Sequence, residues 1–393
     1  MIDFRISEAD QHILDQVAAE GRAGEKYARH FEEHEHEPLP EAFPEAAEFE
    51  PLPRLLARRS KEDTPPATFQ MLLSFARQST NGVPLRNALR GGGGLGNAAL
   101  RAAGTKEQIE KWGGLILAMS ITEPGAGSDT KAIQSTARLD GEEWVLNGDK
   151  IFVTTGIRAQ GVVVWATVDK SAGRAGIKSF LVMKGTQGFE IVRQEKKLGI
   201  RTSDTAAYAF RDCRVPRENL LGLDESVPRE KGSASYRGVM KTFNMTRPGV
   251  ASGGVAKALG AVGFARDALA EDGIKVDWQA GFHQRSATQQ ALIEMEADAE
   301  AASLTVLHAA WLADMGRPNN VESSVCKAKG GEVCRTVPQR AMELLGAMSV
   351  SHDHLVEKYL RDGRISDIYE GTGQIQRLII ARSILGYSSE ELS

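Results

Sequence analysis

Asp367-Ile368-Tyr369-Glu370-Gly371-Thr372-Gly373-Gln374-Ile375-Gln376-Arg377 sets one carboxylate, Glu370, on a glycine-hinged turn directly before an amphipathic segment. Ile375, Leu378, Ile379 and Ile384 keep helical spacing, and Gly386 suits the helix C-terminus. Thr372 can cap the helix, whose free N–H groups and positive dipole end favour an anionic ligand. Two readings stand from this segment alone: Glu370 as a positioned base, or an ordinary acid at a helix start. A second segment, Met119 to Asp129, reads Met-Ser-Ile-Thr-Glu-Pro-Gly-Ala-Gly-Ser-Asp. Its glycines and small hydroxyl residues let a backbone approach a flat or phosphorylated ligand closely.

These groups need elements to hold them. The chain has 393 residues, too many for one ordinary core, so two or three domains are expected. Residues 1–114 read as a helical domain: Ile13, Val17 and Ala18, then Phe69, Leu72, Leu73 and Phe75, recur at helical spacing, with prolines at 38, 40, 44, 51 and 53 between them. The glycine run at 91–94 reads as a joint, since no Gly-Lys-Ser/Thr follows it. Thr105-Lys106-Glu107-Gln108 marks the entry of one more helix.

Residues 115–230 change to short strands, at 161–168, 177–183, 189–193 and 206–210. Asp140-Gly141 and Asn147-Gly148 read as hairpin turns flanking Trp144-Val145-Leu146. A small barrel or sandwich accommodates such strands. Residues 231–393 return to helix, with alanine-rich runs at 250–270, 288–315 and 323–345 that predict an antiparallel bundle.

Composition narrows the function. A net charge of −4 provides no basic field for nucleic acid. No apolar run approaches the ~20 residues that cross a bilayer, and the N-terminus lacks a secretory signal. With Cys213, Cys326 and Cys334 in no metal-site spacing, the expectation is a cytoplasmic protein with buried thiols. His30 and His34 have the i, i+4 spacing of a metal pair, but no third ligand is evident in the sequence, so a solvated helix end and no metal is the expectation.

Three more segments complete the pattern: Asn147 to Gly156 (Asn-Gly-Asp-Lys-Ile-Phe-Val-Thr-Thr-Gly), Lys197 to Thr205 leading to Phe210 and Pro216, and Phe243-Asn244-Met245-Thr246-Arg247-Pro248. In this order, over residues 105–388, the segments resemble the acyl-CoA dehydrogenase family of flavoproteins. The resemblance implies an α+β multidomain fold: an N-terminal helical domain, a middle β-barrel domain facing the flavin and a C-terminal four-helix bundle carrying the catalytic acid. It implies FAD as cofactor, an acyl-CoA substrate and electron-transfer flavoprotein as acceptor. By the same carry-over Glu370 removes the α-proton of the thioester while hydride leaves for the flavin. Ile121, Thr122, Phe152 and Thr154 contact the flavin ring, Ser128 lies along the phosphate and pantetheine path, and Thr372 and Gln374 meet the adenosine part. Asn244, Arg247 and Gly371 join Ser128 on the substrate side.

Some positions depart from the family. Gln279 and His283 stand in an Arg-x-x-Phe-Gly segment whose Arg reaches the FAD pyrophosphate of a neighbouring subunit. Glu343 and Ala347 stand in a Gln-x-x-Gly-Gly-x-Gly segment that contacts the same FAD. Gln279 lacks the guanidinium charge, and an ionised Glu343 repels a pyrophosphate. The expectation is a homo-oligomer, a dimer or tetramer, with a heteromer as the alternative. Nucleic acid and membrane are not expected partners.

Overall fold

The computed structural model describes residues 5–60, 63–86, 94–227 and 234–387, without the side chains of 234–245. The first helix, α1 (Glu8–Ala23), starts where Ser7 Oγ accepts the Asp10 N–H at 3.1 Å. Its apolar stripe of Ile13, Leu14 and Val17 packs on Phe69 and Leu73 of α4 (Pro66–Gln78). Between them run α2 (Glu25–Glu33) and the short α3 (Leu52–Leu56). Two further helices follow, α5 (Leu95–Ala103) and α6 (Lys106–Trp112). The last opens on a reciprocal cap between Thr105 and Gln108, as its sequence leads one to expect.

Seven strands form one curled sheet: β1 (Leu117–Ser120), β2 (Thr136–Asp140), β3 (Glu143–Thr154), β4 (Gly161–Thr167), β5 (Ile177–Met183), β6 (Phe189–Gln194) and β7 (Thr205–Pro216). The order is β1-β4-β2-β3-β7-β6, with β5 on β4. Strand β4 is buried on both faces, and its alternate residues serve two cores. Val162, Val164 and Ala166 meet Phe180 and Val182 inside the sheet. Val163 and Trp165 meet Leu100, Trp112 and Leu181 under the helices. That two-sided burial explains an unbroken apolar run where a half-exposed strand would alternate.

Asp140-Gly141 makes the β2–β3 turn, with Gly141 at φ +63°. Asn147-Gly148 does not make a turn. It lies inside β3, where the register against β7 slips between Leu146 and Gly148. Gly148 (φ +148°) serves this bulge, and a Cβ there would lie 2.1 Å from Ser135 Oγ.

The bundle consists of α7 (Ala234–Glu271), α8 (Ala287–Asp314), α9 (Asn320–Leu345), α10 (Val356–Gly363) and α11 (Gly373–Leu385). Alanines at 251, 258, 261, 265, 299, 302 and 309 line its core, so the long helices approach closely and Val255, Val306, Val333 and Met295 fill the gaps. Ionic contacts tie the three regions together. Arg361 on α10 donates to Glu32 on α2 at 2.8 Å, and Asp362 accepts the Ile200 N–H of the sheet region at 2.6 Å. Cys213, Cys326 and Cys334 are buried and free. Among the described residues no helix is long and apolar enough to cross a membrane.

Candidate active site

Glu370 occupies a turn between the 3-10 segment Arg364–Asp367 and α11. Two successive left-handed residues make this turn, Glu370 at φ +52° and Gly371 at φ +91°. For a residue with a Cβ this conformation is strained by roughly 1–2 kcal/mol, so neighbours must hold it. Gln376, fully buried on the first turns of α11, donates from Nε2 to the Glu370 carbonyl at 3.3 Å and the Gly371 carbonyl at 3.1 Å. Thr372 caps α11 by accepting the Ile375 N–H at 3.3 Å. Among the described residues no acceptor takes the N–H of Glu370.

The Glu370 carboxylate points back to α7, where Thr246 Oγ1 donates to Oε2 at 2.5 Å. Burial raises the acid above its ordinary value. The Thr246 hydroxyl and the charges of Lys327 and Arg247 oppose that rise without cancelling it. A half-buried acid with a raised pKa is poised to exchange protons nearer neutrality. Arg247 is itself only 4% exposed.

The second group sits on the sheet. The Ile151 N–H on β3 donates to the Thr122 carbonyl at 3.0 Å, joining the 121–129 loop to the strand that carries Phe152 and Thr154. Under this junction lies a buried ion pair. Lys150 Nζ, with no exposed side-chain surface, donates to Glu123 Oε1 at 2.8 Å and the Ile121 carbonyl at 3.2 Å. The Glu123 carboxylate also accepts the backbone N–H groups of Gln134 (2.6 Å) and Ser135 (3.0 Å). Burial works against its charge, yet the Lys150 ammonium and these donors hold the acid below its usual range. Phe152 stands out of the strand at φ +55° with 60% of its surface exposed.

This surface fits a flavin. A planar ring needs an open aromatic and backbone groups beside it, which Phe152 and the Ile121–Thr122 segment provide. A phosphate path needs backbone free of side chains, and Cβ atoms at Gly125 or Gly127 would meet open space. Ser128 is exposed on the same loop, and Gln374 is exposed at the start of α11. No hydrogen bond or ion pair among the described residues joins the sheet group to the Glu370 group.

The departures from the family lie on the bundle surface. Gln279 and His283 are exposed in the 272–286 connection, where Asp277, Gln279, Ala280, Gln284 and Gln289 line an open, polar depression of about 430 Å³. Glu343 is exposed near the end of α9 and accepts from Gln339 at 3.1 Å, and Ala347 is exposed just beyond. The Asn244 side chain and residues 91–93 of the glycine run lie outside the described residues.

A third candidate ligand does accompany His30 and His34. The ligand atoms of these two and Glu37 lie within 4.8 Å of one another. All three are exposed, and His30 already pairs with Glu37 at 2.9 Å, so the groups satisfy one another and no metal role is assigned.

Sequence reasoning assigned no role to Thr246, Glu123, Lys150, Gln376 or Lys327. The first four lie inside the quoted motifs, and that position was the signal. Lys327 lies on α9, 43 positions before Glu370, with only an alanine-rich helix around it.

Comparison with known proteins matches residues 118–213 to the acyl-CoA dehydrogenase middle domain and residues 236–385 to the acyl-CoA dehydrogenase C-terminal domain. The short-chain specific acyl-CoA dehydrogenase of Rattus norvegicus mitochondria is 37% identical over 291 residues, 72% of this chain and 67% of the relative. The butyryl-CoA dehydrogenase structure from Megasphaera elsdenii superposes with a TM-score of 0.76 at 25% identity, covering 98% of this chain and 100% of that one. A chain from a structure of the electron transferring flavoprotein of Acidaminococcus fermentans superposes with a TM-score of 0.77 at 28% identity, covering 98% and 100%.

Proposed function

Because the chain belongs to the acyl-CoA dehydrogenase family of flavin-dependent oxidoreductases, we propose that it oxidises an acyl-CoA thioester to the trans-2-enoyl-CoA with Glu370 as the base. The single observation that carries this reading is the Glu370 turn: a half-buried acid of raised pKa, held left-handed against Thr246, with no acceptor for its own N–H among the described residues. The Glu370 carboxylate takes the α-proton, the β-hydrogen leaves with its electron pair, and the double bond forms between the two carbons. The Glu370 N–H donates to the thioester carbonyl as negative charge gathers there. Bound FAD supplies the two-electron acceptor for the departing hydride. Ile121, Thr122, Phe152 and Thr154 would hold its ring, and Thr372 and Gln374 its adenosine part. Ser128, Asn244 and Gly371 would serve the thioester and its pantetheine. The burial of Arg247 favours a place beside the base over an open channel wall.

Short acyl chains are the first substrates to test, in line with the short-chain and butyryl-CoA relatives. Electron-transfer flavoprotein is the acceptor this reading implies, and the Acidaminococcus likeness supports it.

The test is anaerobic bleaching of the bound flavin by a panel of acyl-CoA thioesters. Glu370→Gln is expected to keep its flavin while bleaching slows by at least ~10²-fold, the usual contribution of a general base. Undiminished bleaching removes Glu370 from the role.

Gln279 and Glu343 favour a second reading of the assembly. Neither exposed position offers a cation to a neighbour's pyrophosphate, so a different partner chain would supply those contacts in a heteromer. The purified chain is then expected to hold well under one FAD per protomer after gel filtration. A full complement returns the case to a homo-oligomer.

A further inference from the structure

The most unusual buried group outside the reaction described above is Lys327. It lies in the first third of α9 with no surface exposed. A buried ammonium is costly unless it is paired, yet among the described residues no carboxylate oxygen lies within 4.0 Å of it. Two carbonyls hold it instead. Lys327 Nζ donates to Ser366 at 2.7 Å and Gly371 at 3.2 Å, the two sides of the turn that carries Glu370. It also sits 5.9 Å from the centre of the Tyr369 ring. Small residues bring the helix close enough for this reach: a Cβ on Gly331 would stand 2.8 Å from Asp367 Oδ1.

A neutral donor would suffice to tie down two carbonyls. Burial draws the Lys327 pKa down and the neighbouring acids draw it up, and wherever the ammonium is retained its field is weakly screened in this interior. The acids that feel Lys327 are Asp367 and Glu370, with Cys334 and the opposing charge of Arg247 also nearby. Around Glu370 the facing groups are Lys327 from α9, Thr246 and Arg247 from α7, and Tyr369 on its own turn. Asp367 also has Arg364 at 3.6 Å, whereas the cations that act on Glu370 are Lys327 and Arg247.

We propose that Lys327 is a positioning residue for Glu370: its ammonium clasps the turn at Ser366 and Gly371, holding Glu370 in its left-handed conformation, and its charge favours the carboxylate over the acid. This rests on Glu370 being the base. Two variants separate the two effects. Lys327→Met keeps the length of the stem and loses both donors and charge, whereas Lys327→Gln loses the charge but keeps an N–H₂ donor, set one atom nearer the backbone.

The readout is the titration of the Glu370 carboxyl by difference infrared spectroscopy, in the flavin-loaded protein without thioester. The band that disappears in Glu370→Gln provides the assignment. Both variants are expected to raise the Glu370 pKa by on the order of one unit. In stopped-flow bleaching, Lys327→Met is expected to slow reduction about 10-fold or more at saturating thioester, with the half-saturating concentration moved by less than about threefold. Lys327→Gln is expected to lose less rate than Met for the same titration shift.

An unshifted carboxyl titration with wild-type bleaching in a flavin-loaded Lys327→Met protein overturns the proposal. Should that variant fail to fold, the Gln titration decides it, and failure of both to fold makes Lys327 a stability residue only. The reading of Glu370 as base fails separately, by wild-type bleaching in Glu370→Gln, whatever the Lys327 variants do to the infrared band.

Discussion

Replacing Thr246 by Val removes one hydroxyl and almost no volume, so it tests the hydrogen bond that this hydroxyl gives the acid. That hydroxyl donates to Glu370 Oε2 across 2.5 Å. A hydrogen bond to a charged acceptor is worth roughly 1.5–3 kcal/mol, and one pKa unit corresponds to about 1.4 kcal/mol. Its loss therefore raises the Glu370 pKa by about 1–2 units. The sign follows from which form the donor serves. Thr246 favours the carboxylate, whereas burial favours the neutral acid and already wins. Without Thr246 the acid stays protonated to higher pH, and a protonated carboxyl cannot accept the α-proton. The acid limb of kcat/KM against pH is expected to move upward by about 1–2 units, while the plateau above it changes less. Thr246→Ser keeps the donor and should keep the wild-type profile. The assay is stopped-flow bleaching with one thioester across the pH range, on protein of matched flavin content. An unmoved acid limb in a Thr246→Val protein with native flavin content and unfolding midpoint refutes the reasoning, because the bonded carboxylate would then not be the group that titrates.

The remaining tests concern what holds the site. Glu370→Gly, which relieves the left-handed strain, is expected to be more stable than Glu370→Ala by about 1 kcal/mol in denaturant unfolding, a reversal of the usual Ala–Gly order. Lys150→Met strands the Glu123 carboxylate and is expected to cost about 3–5 kcal/mol and to lower flavin occupancy, measured by thermal unfolding and absorbance. The pair replacement Lys150→Met with Glu123→Gln should recover part of that loss, since no bare charge remains. Gly148→Ala drives a Cβ into Ser135 and is expected to destabilise by about 1–3 kcal/mol, read from the same unfolding curves.

Much of the fold was legible because its signals are local. The strand at Ile177–Met183 and the alanine-rich helices announce themselves by period and composition, and Thr105 with Gln108 marks α6 by one reciprocal cap. Asn147-Gly148 misled for the same reason. The dipeptide advertises a backbone that tolerates positive φ, but whether that freedom makes a turn or a bulge depends on β7 and Ser135, which are distant in sequence. The turn that carries Glu370 was legible too, since a glycine-hinged turn before a capped helix is written in consecutive residues.

The state of that acid is a different matter. Its raised pKa comes from burial by the bundle, and the opposing Thr246 and Lys327 lie 124 and 43 positions away on α7 and α9. Desolvation and Coulomb energy depend on distance through space, which no stretch of sequence records. The chain alone thus determined which side chains are present to do the chemistry. Only the packed helices decided how strongly each one holds its proton.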